Sequence, residues 1–186
     1  DSVMACSATV IAQLVRVTGL YFAIPAGLAI GLLLGLVNGV AIARFRIPPF
    51  VATLGMLSIG RGIVYLITRG TTVIITDHPE LNRLATVSIG GVVPIAFIVA
   101  TAFLVLMHLV FRHTRFGRHV AGMGGNPVAA ASAGINTLVY TIVVYTIVGF
   151  CAAFSGLLQI AQVMVLDPSA GGDLALRSIV IAVLGG

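Results

Sequence analysis

Six polar side chains lie inside long apolar stretches of the chain, where they could bind a polar solute. They are Asn38, Thr53, Ser58, Arg61, Gln159 and Gln162. Such groups are costly in a membrane interior unless they face a partner or a water-filled cavity, and amides and hydroxyls suit a solute rich in hydroxyl groups. The alternative is hydrogen bonding between helices, which we favour for Asn38 and leave open for the two glutamines, which share one helix face.

The segment of residues 47–62 combines two prolines with three glycines around Arg61. Because proline cannot continue a helical ladder and glycine weakens one, we expect a broken or re-entrant helix here. If the helix begins near Phe50, Arg61 lies about 16 Å along it, near the middle of the membrane. We expect carbonyls freed by the break to accept its hydrogen bonds, either in a transport pathway or at a purely structural bend.

The loop of residues 112–137 has the features of a short capped helix. Asn126 suits the N-cap, Pro127 the first position and Gly134 the left-handed position beyond the end. The residues that we assign to contact with a partner are Gly124, Gly125, Asn126, Pro127, Ala129, Ala130 and Gly134. So short a helix must be held by packing. It either inserts into a groove of another protein, after a flexible lead-in at Gly124 and Gly125, or is a connector on the membrane surface.

Four glycines recur at every fourth position of one apolar stretch: Gly27, Gly31, Gly35 and Gly39. This spacing puts them on one helix face, where the missing side chains let another helix approach closely. We favour ordinary helix packing over a role beside a moving pathway.

The composition predicts the elements that must position these residues. Mean hydropathy is +1.16 and charged residues make up 8%, against about 25% in soluble domains. Membrane-spanning backbone must satisfy its own hydrogen bonds, and long apolar runs without alternation select helices. All ten basic residues are Arg, so the lysine of an ATP-binding P-loop is absent. The charges are too scattered for nucleic acid, and we expect no metal site and no catalytic centre.

The apolar runs predict an all-α polytopic bundle that forms one transmembrane domain over residues 1–186. We expect spans at 3–15, 20–43, 50–68, 92–111 and 138–166, the last with a tilt or a break near Gly149 or Gly156. A sixth begins near residue 174, and both ends look cut. A short helix near 78–84, headed by Asp77, is either a capped surface helix, which we favour, or a docking element.

The loops at 44–48 and 112–137 are rich in arginine, whereas those on the other side also carry acidic residues. By the positive-inside rule, the arginine-rich loops face the cytoplasm.

Several motifs resemble the permeases of ribose-type sugar ABC importers. They are residues 35–39 (GLVNG), 46–55 (RIPPFVATLG), 60–62 (GRG), 114–118 (TRFGR), 124–130 (GGNPVAA), 133–135 (AGI) and 183–186 (VLGG). The resemblance implies a multi-pass bacterial inner-membrane permease, embedded in lipid. It also implies a second permease subunit, identical or different, two ATPase subunits that bind ATP and Mg²⁺, and a periplasmic sugar-binding protein. The short helix at 126–134 would be the coupling helix. Val128, Ala133 and residues 172–178 depart from the family pattern, which leaves a related substrate such as a nucleoside open.

Two other classes are less well supported by the residues. An ion-coupled secondary transporter needs a carboxylate within the membrane, and the acidic residues here lie at a terminus or in predicted outer loops. A membrane-embedded enzyme needs clustered histidines or carboxylates, and His108, His113 and His119 are too loosely spaced.

Overall fold

The computed structural model describes residues 1–75, 81–82, 86–89 and 93–168, and positions 177, 178, 180, 181 and 184. Its helices are α1 (Ser2–Thr18), α2 (Leu20–Phe45), α3 (Pro49–Thr68), α4 (Ile95–His113), α5 (Arg115–Gly125), α6 (Pro127–Ser132) and α7 (Thr137–Val163). Helices α2, α3, α4 and α7 are long and apolar enough to cross a membrane, and α1 is a shorter apolar helix. The predicted all-α polytopic bundle is confirmed. The helix expected at 78–84, apart from helical residues 81–82, and most of the sixth span lie outside the described residues.

The four glycines of α2 are buried where this helix packs against two neighbouring helices. Gly27 faces Ile11 of α1, whereas Gly31, Gly35 and Gly39 face α7. A methyl group on Gly35 would lie 2.5 Å from the carbonyl oxygen of Tyr145. Without side chains between them, the two backbones make the close approach that stabilises helix pairs in lipid, and this is the arrangement that the four-residue spacing predicts.

Helix α1 packs against α2, α3 and α7 through small polar side chains. The buried Ser7 hydroxyl lies 3.0 Å from the Gly27 carbonyl oxygen and 3.4 Å from that of Ala153. On the other side, the Cys6 thiol donates to the Gly60 carbonyl oxygen at 3.4 Å. These groups would be costly in an apolar interior without partners, and here their partners are backbone carbonyls of the adjacent helices.

The expected break in the third span is wrong, because α3 is continuous from Pro49 to Thr68. Pro48 is the N-cap and Pro49 the first helical residue, a position where the missing N–H costs no helical hydrogen bond. Each interior glycine costs only about 1 kcal/mol, and in lipid a broken ladder would leave backbone groups unsatisfied.

Helix α7 also runs unbroken past Gly149 and Gly156 and ends earlier than expected. Met164 adopts a left-handed conformation with φ of 55°, after which the chain becomes extended. Strand β4 (Val165–Leu166) pairs antiparallel with β1 (Val73–Ile74), and β2 (Ser88–Ile89) with β3 (Val93–Pro94). The first pairing joins the end of α7 to the loop after α3.

Helix α5 lies where the sequence predicted a loop, so the lead-in at Gly124 and Gly125 is its last turn and not a flexible segment. The Thr114 hydroxyl caps the helix by accepting the Gly117 N–H at 3.3 Å. Phe116, Val120 and Met123 give the three-to-four-residue spacing of an amphipathic helix, a signal that its glycines obscured.

Candidate functional site

A cavity of 280 Å³ lies between α1, α2, α3 and α7, and we call it the inner cavity. Asn38 and Thr53 line it, together with Phe50 and Tyr145. The Thr53 hydroxyl already lies 2.9 Å from the Pro49 carbonyl oxygen and 3.1 Å from that of Phe50. Asn38 and Tyr145 also present polar side-chain groups to the inner cavity. Unlike the Thr53 hydroxyl, these groups have no described hydrogen bond to the backbone of their own helix.

A second cavity of 140 Å³, the outer cavity, lies between the start of α1 and the end of α7. Gln159 lines it with Asp167, Met4 and Leu166. The two predicted glutamines are both exposed but not equivalent, because Gln159 lines the outer cavity and Gln162 lines neither cavity. Ser58 is likewise exposed on α3 and lines neither.

Arg61 forms an ion pair with Asp1, with 3.1 Å between Nη2 and Oδ2. The Asp1 side chain is 4% exposed and that of Arg61 40%. Among the described residues, the expected carbonyl acceptors are absent, because α3 has no break to free them. Since α1 lies beside α3, with Ser2 bonded to the Met56 carbonyl oxygen, one acidic residue lies within the bundle. The sequence pattern alone indicates no partner for this residue, Asp1.

Asp1 lines both the inner and the outer cavity. The ion pair therefore lies at the boundary between a space that holds Asn38 and Thr53 and a space that holds Gln159. Asn38 and Thr53 line the inner cavity and Gln159 lines the outer cavity, and Arg61 pairs with the Asp1 carboxylate that lines both. Ser58 and Gln162 line neither cavity. No group of three or more His, Cys, Asp or Glu that could hold a metal ion is found in the described part of the chain.

The short helix α6 is closed at both ends by hydrogen bonds. The Asn126 side-chain oxygen accepts the N–H groups of Val128 and Ala129, each at 3.0 Å. Gly134, with φ of 84°, lets its own N–H reach the Ala131 carbonyl oxygen. The N–H of Ile135 likewise bonds the Ala130 carbonyl oxygen, which completes the pattern of a Schellman motif.

The two faces of α6 differ in exposure. Val128 is 76% exposed and Ala129 is also exposed, whereas Ala130 is only 6% exposed. Of the residues predicted to contact a partner, Ala129 is thus accessible and Ala130 faces the protein. Pro127 is exposed at the first helical position, and Gly124 and Gly125 are exposed on α5.

Comparison with known proteins shows the family to which this helical chain belongs. The family described as branched-chain amino acid transport system / permease component matches residues 1–186. The chain belongs to this permease family. The prediction of a multi-pass inner-membrane transport protein is confirmed.

The permease is also similar to individual sugar permeases. It is 32% identical to the ribose import permease protein RbsC of Escherichia coli strain K12 over 189 residues, which cover 100% of the chain and 59% of the relative. It is 35% identical to the galactofuranose transporter permease protein YtfT of the same strain, covering 96% and 52%. It is 31% identical to the L-arabinose ABC transporter permease protein AraH of Azospirillum brasilense, covering 100% and 54%. The chain thus spans about half to three fifths of these relatives. No solved structure matches it.

Proposed function

We propose that this permease forms the translocation pathway of an ATP-driven importer for a sugar of the monosaccharide class. The observation that carries the proposal is its similarity, along nearly its whole length, to permeases named for ribose, galactofuranose and L-arabinose. The chain spans 59% of the ribose permease, so the proposal concerns the whole protein to which these residues belong.

In this proposal the energy comes from a partner. The chain contains no lysine and so lacks the phosphate-binding residue of a P-loop. ATP and Mg²⁺ would be bound by ATPase subunits on the cytoplasmic side, and the exposed surface of α6, with Val128 and Ala129, would contact them. A periplasmic sugar-binding protein would deliver the solute, and a second permease subunit, identical or different, would complete the pathway.

The solute would pass along the polar groups beside α1. Gln159 in the outer cavity and Asn38 and Thr53 in the inner cavity supply amides and a hydroxyl that suit sugar hydroxyls. The Asp1–Arg61 pair lies between them. Ser58 and Gln162 would join the pathway only if the second permease subunit covers the surface on which they are exposed.

The substrate class is tested by uptake in cells. The full-length permease is expressed with its ATPase and binding protein in a bacterial strain that lacks monosaccharide importers. Labelled ribose, arabinose, galactose, fructose and leucine are then supplied separately. We expect accumulation of at least one sugar, with no competition from excess leucine. Accumulation of leucine alone would contradict the sugar assignment and favour the amino-acid substrate in the family's description.

The buried Asp1 carboxylate gives the ion-coupled alternative a specific candidate. Its pairing with Arg61 neutralises the charge locally, as expected for a structural pair. If ions were coupled through Asp1, uptake by the unaltered permease would be sensitive to ionophores. The Asp1→Asn variant would lose that sensitivity. In the ATP-driven importer, uptake does not respond to ionophores in either protein.

A further inference from the structure

An aromatic cluster joins the helix before the coupling helix to the central bundle. It consists of Phe111 of α4, Phe116 and His119 of α5, and Tyr140 of α7. The Phe116 and Tyr140 rings stack with centroids 5.6 Å apart, and Phe111 lies 5.7 Å from Phe116. The His119 Nδ1 lies 2.6 Å from the Tyr140 hydroxyl oxygen, with the two rings edge to face at 5.2 Å.

The cluster lies where α4 meets α5, and close contacts join α4 to α5 and α5 to α6. Gly117 packs so closely on the Phe111 carbonyl oxygen that a methyl group there would clash with it. At the other end of α5, the Asn126 N–H bonds the Gly122 carbonyl oxygen, and the Asn126 side chain caps α6. A displacement of α6 would therefore move α5.

Tyr140 lies in the first turn of α7, a helix that packs against both α1 and α2. Further along α7, Gly149 and Ala153 contact the glycine face of α2, and Gly156 contacts α1. A rotation or shift at Tyr140 would thus reach the helices that line both cavities, since α1 and α7 contribute to each of them.

We propose that the His119–Tyr140 contact positions α5 on α7 and transmits displacement of α6 to the bundle that lines the pathway. His119 and Tyr140 are positioning residues for the coupling of ATP hydrolysis to transport, and this role rests on the proposed function. The hydrogen bond fixes the angle at which α5 crosses α7, while the stacked rings of Phe116 and Tyr140 hold the two helices in contact. The cluster thus has two separable parts, a polar bond and an aromatic stack.

The test separates the bond from the stack in the reconstituted complex of full-length permease, ATPase and binding protein. Tyr140→Phe removes only the hydroxyl. We expect unchanged assembly and continued ATP hydrolysis, but about a three- to tenfold rise in ATP hydrolysed per solute imported, the factor expected when one hydrogen bond is lost. His119→Leu should give the same rise. His119→Asn, whose amide can occupy the position of Nδ1, should stay close to the unaltered protein.

Tyr65→Phe is the matched control, because Tyr65 is exposed on α3, far along the chain from the cluster. It should leave the ratio of ATP to solute unchanged. The inference is overturned if Tyr140→Phe and His119→Leu keep the ratio of the unaltered complex, as they would if the rings only anchored α7 at the membrane surface. It is also overturned if either variant no longer binds the ATPase subunits. Failure of the unaltered complex to import any solute with ATP would refute the proposed function itself.

Discussion

Gly149 shows how tightly single residues determine the contact between α2 and α7. A methyl group at this position would clash with the Gly31 carbonyl oxygen and lie 2.7 Å from the Cα atom of Gly35. We predict that Gly149→Ala destabilises the protein by about 1–3 kcal/mol, the usual cost of overpacking against atoms that cannot move aside. The measurement is thermal unfolding in detergent.

Gly62→Ala is the control, since a methyl group at Gly62 of α3 meets no atom within 4 Å. Because alanine favours a helix by up to about 1 kcal/mol over glycine, this variant should unfold at the same or a higher temperature. Equal unfolding temperatures for Gly149→Ala and Gly62→Ala would show that α2 and α7 do not pack as closely as described.

Asn126 offers a second test at the scale of one side chain. Its oxygen accepts two N–H groups at the start of α6, and loss of such a cap costs about 1 kcal/mol. In a helix of six residues this loss should expose the first turn, so Asn126→Ala should accelerate hydrogen exchange at Val128 and Ala129. Asn136→Ala removes the cap of the much longer α7 and should leave exchange in the middle of that helix unchanged. Slow exchange in α6 of Asn126→Ala would contradict the capping role.

At this scale, sequence reasoning succeeds for local patterns and fails for distant partners. The cap at Asn126 and the left-handed Gly134 follow from residues within one turn of each other. The acceptors of Ser7 lie 20 and 146 residues away, so no local pattern indicates its buried hydrogen bonds. The Asp1–Arg61 pair escaped prediction for the same reason, because the partners are 60 residues apart.

Among the elements, α5 depends on its close contact with the end of α4. Gly117→Ala would place a methyl group against the Phe111 carbonyl oxygen, whereas one at Gly122 of the same helix meets open space. We predict that Gly117→Ala displaces α5 and increases protease cleavage between residues 114 and 126. Gly122→Ala should be cleaved no faster than the unaltered protein. Equal resistance of both variants would mean that α5 does not rest on α4.

For two helices, residue helix propensities gave the wrong secondary structure. Glycine and proline suggested a break in α3 and a loop at α5, yet both segments are helical. Proline at the first position of α3 costs little, and the apolar environment of that span favours internally bonded backbone. In α5 the contacts of Phe116 and Gly117 with neighbouring helices outweigh the low helix propensity of its glycines, and such tertiary contacts are not visible in a local pattern.

The whole molecule has an orientation that can be measured. In a background where Cys6 and Cys151 are replaced by alanine, we place single cysteines at Gly122 and at Thr72, which are both exposed. By the positive-inside rule, a membrane-impermeant maleimide should label Gly122→Cys from the cytoplasmic side and Thr72→Cys from the other. Labelling of both from one side would contradict the order of spans, and the reverse labelling would contradict the orientation.

Composition indicated a membrane protein, because so few charges cannot cover a water-facing surface, and the long apolar runs without alternation indicated helices. The motifs indicated the family, and the comparisons establish it. The grouping of the polar residues could not be foreseen, since it depends on how α1 lies against α3 and α7. That arrangement separates Asn38, Thr53, Arg61 and Gln159 from Ser58 and Gln162.

We propose that this permease carries a sugar with energy from a partner ATPase. The most direct test is uptake into proteoliposomes that contain the full-length permease and its ATPase, with the sugar-loaded binding protein outside and ATP within. We predict accumulation that requires ATP and is unchanged when ionophores collapse the proton and sodium gradients. Accumulation that occurs without ATP and is abolished by those ionophores would contradict the proposed function.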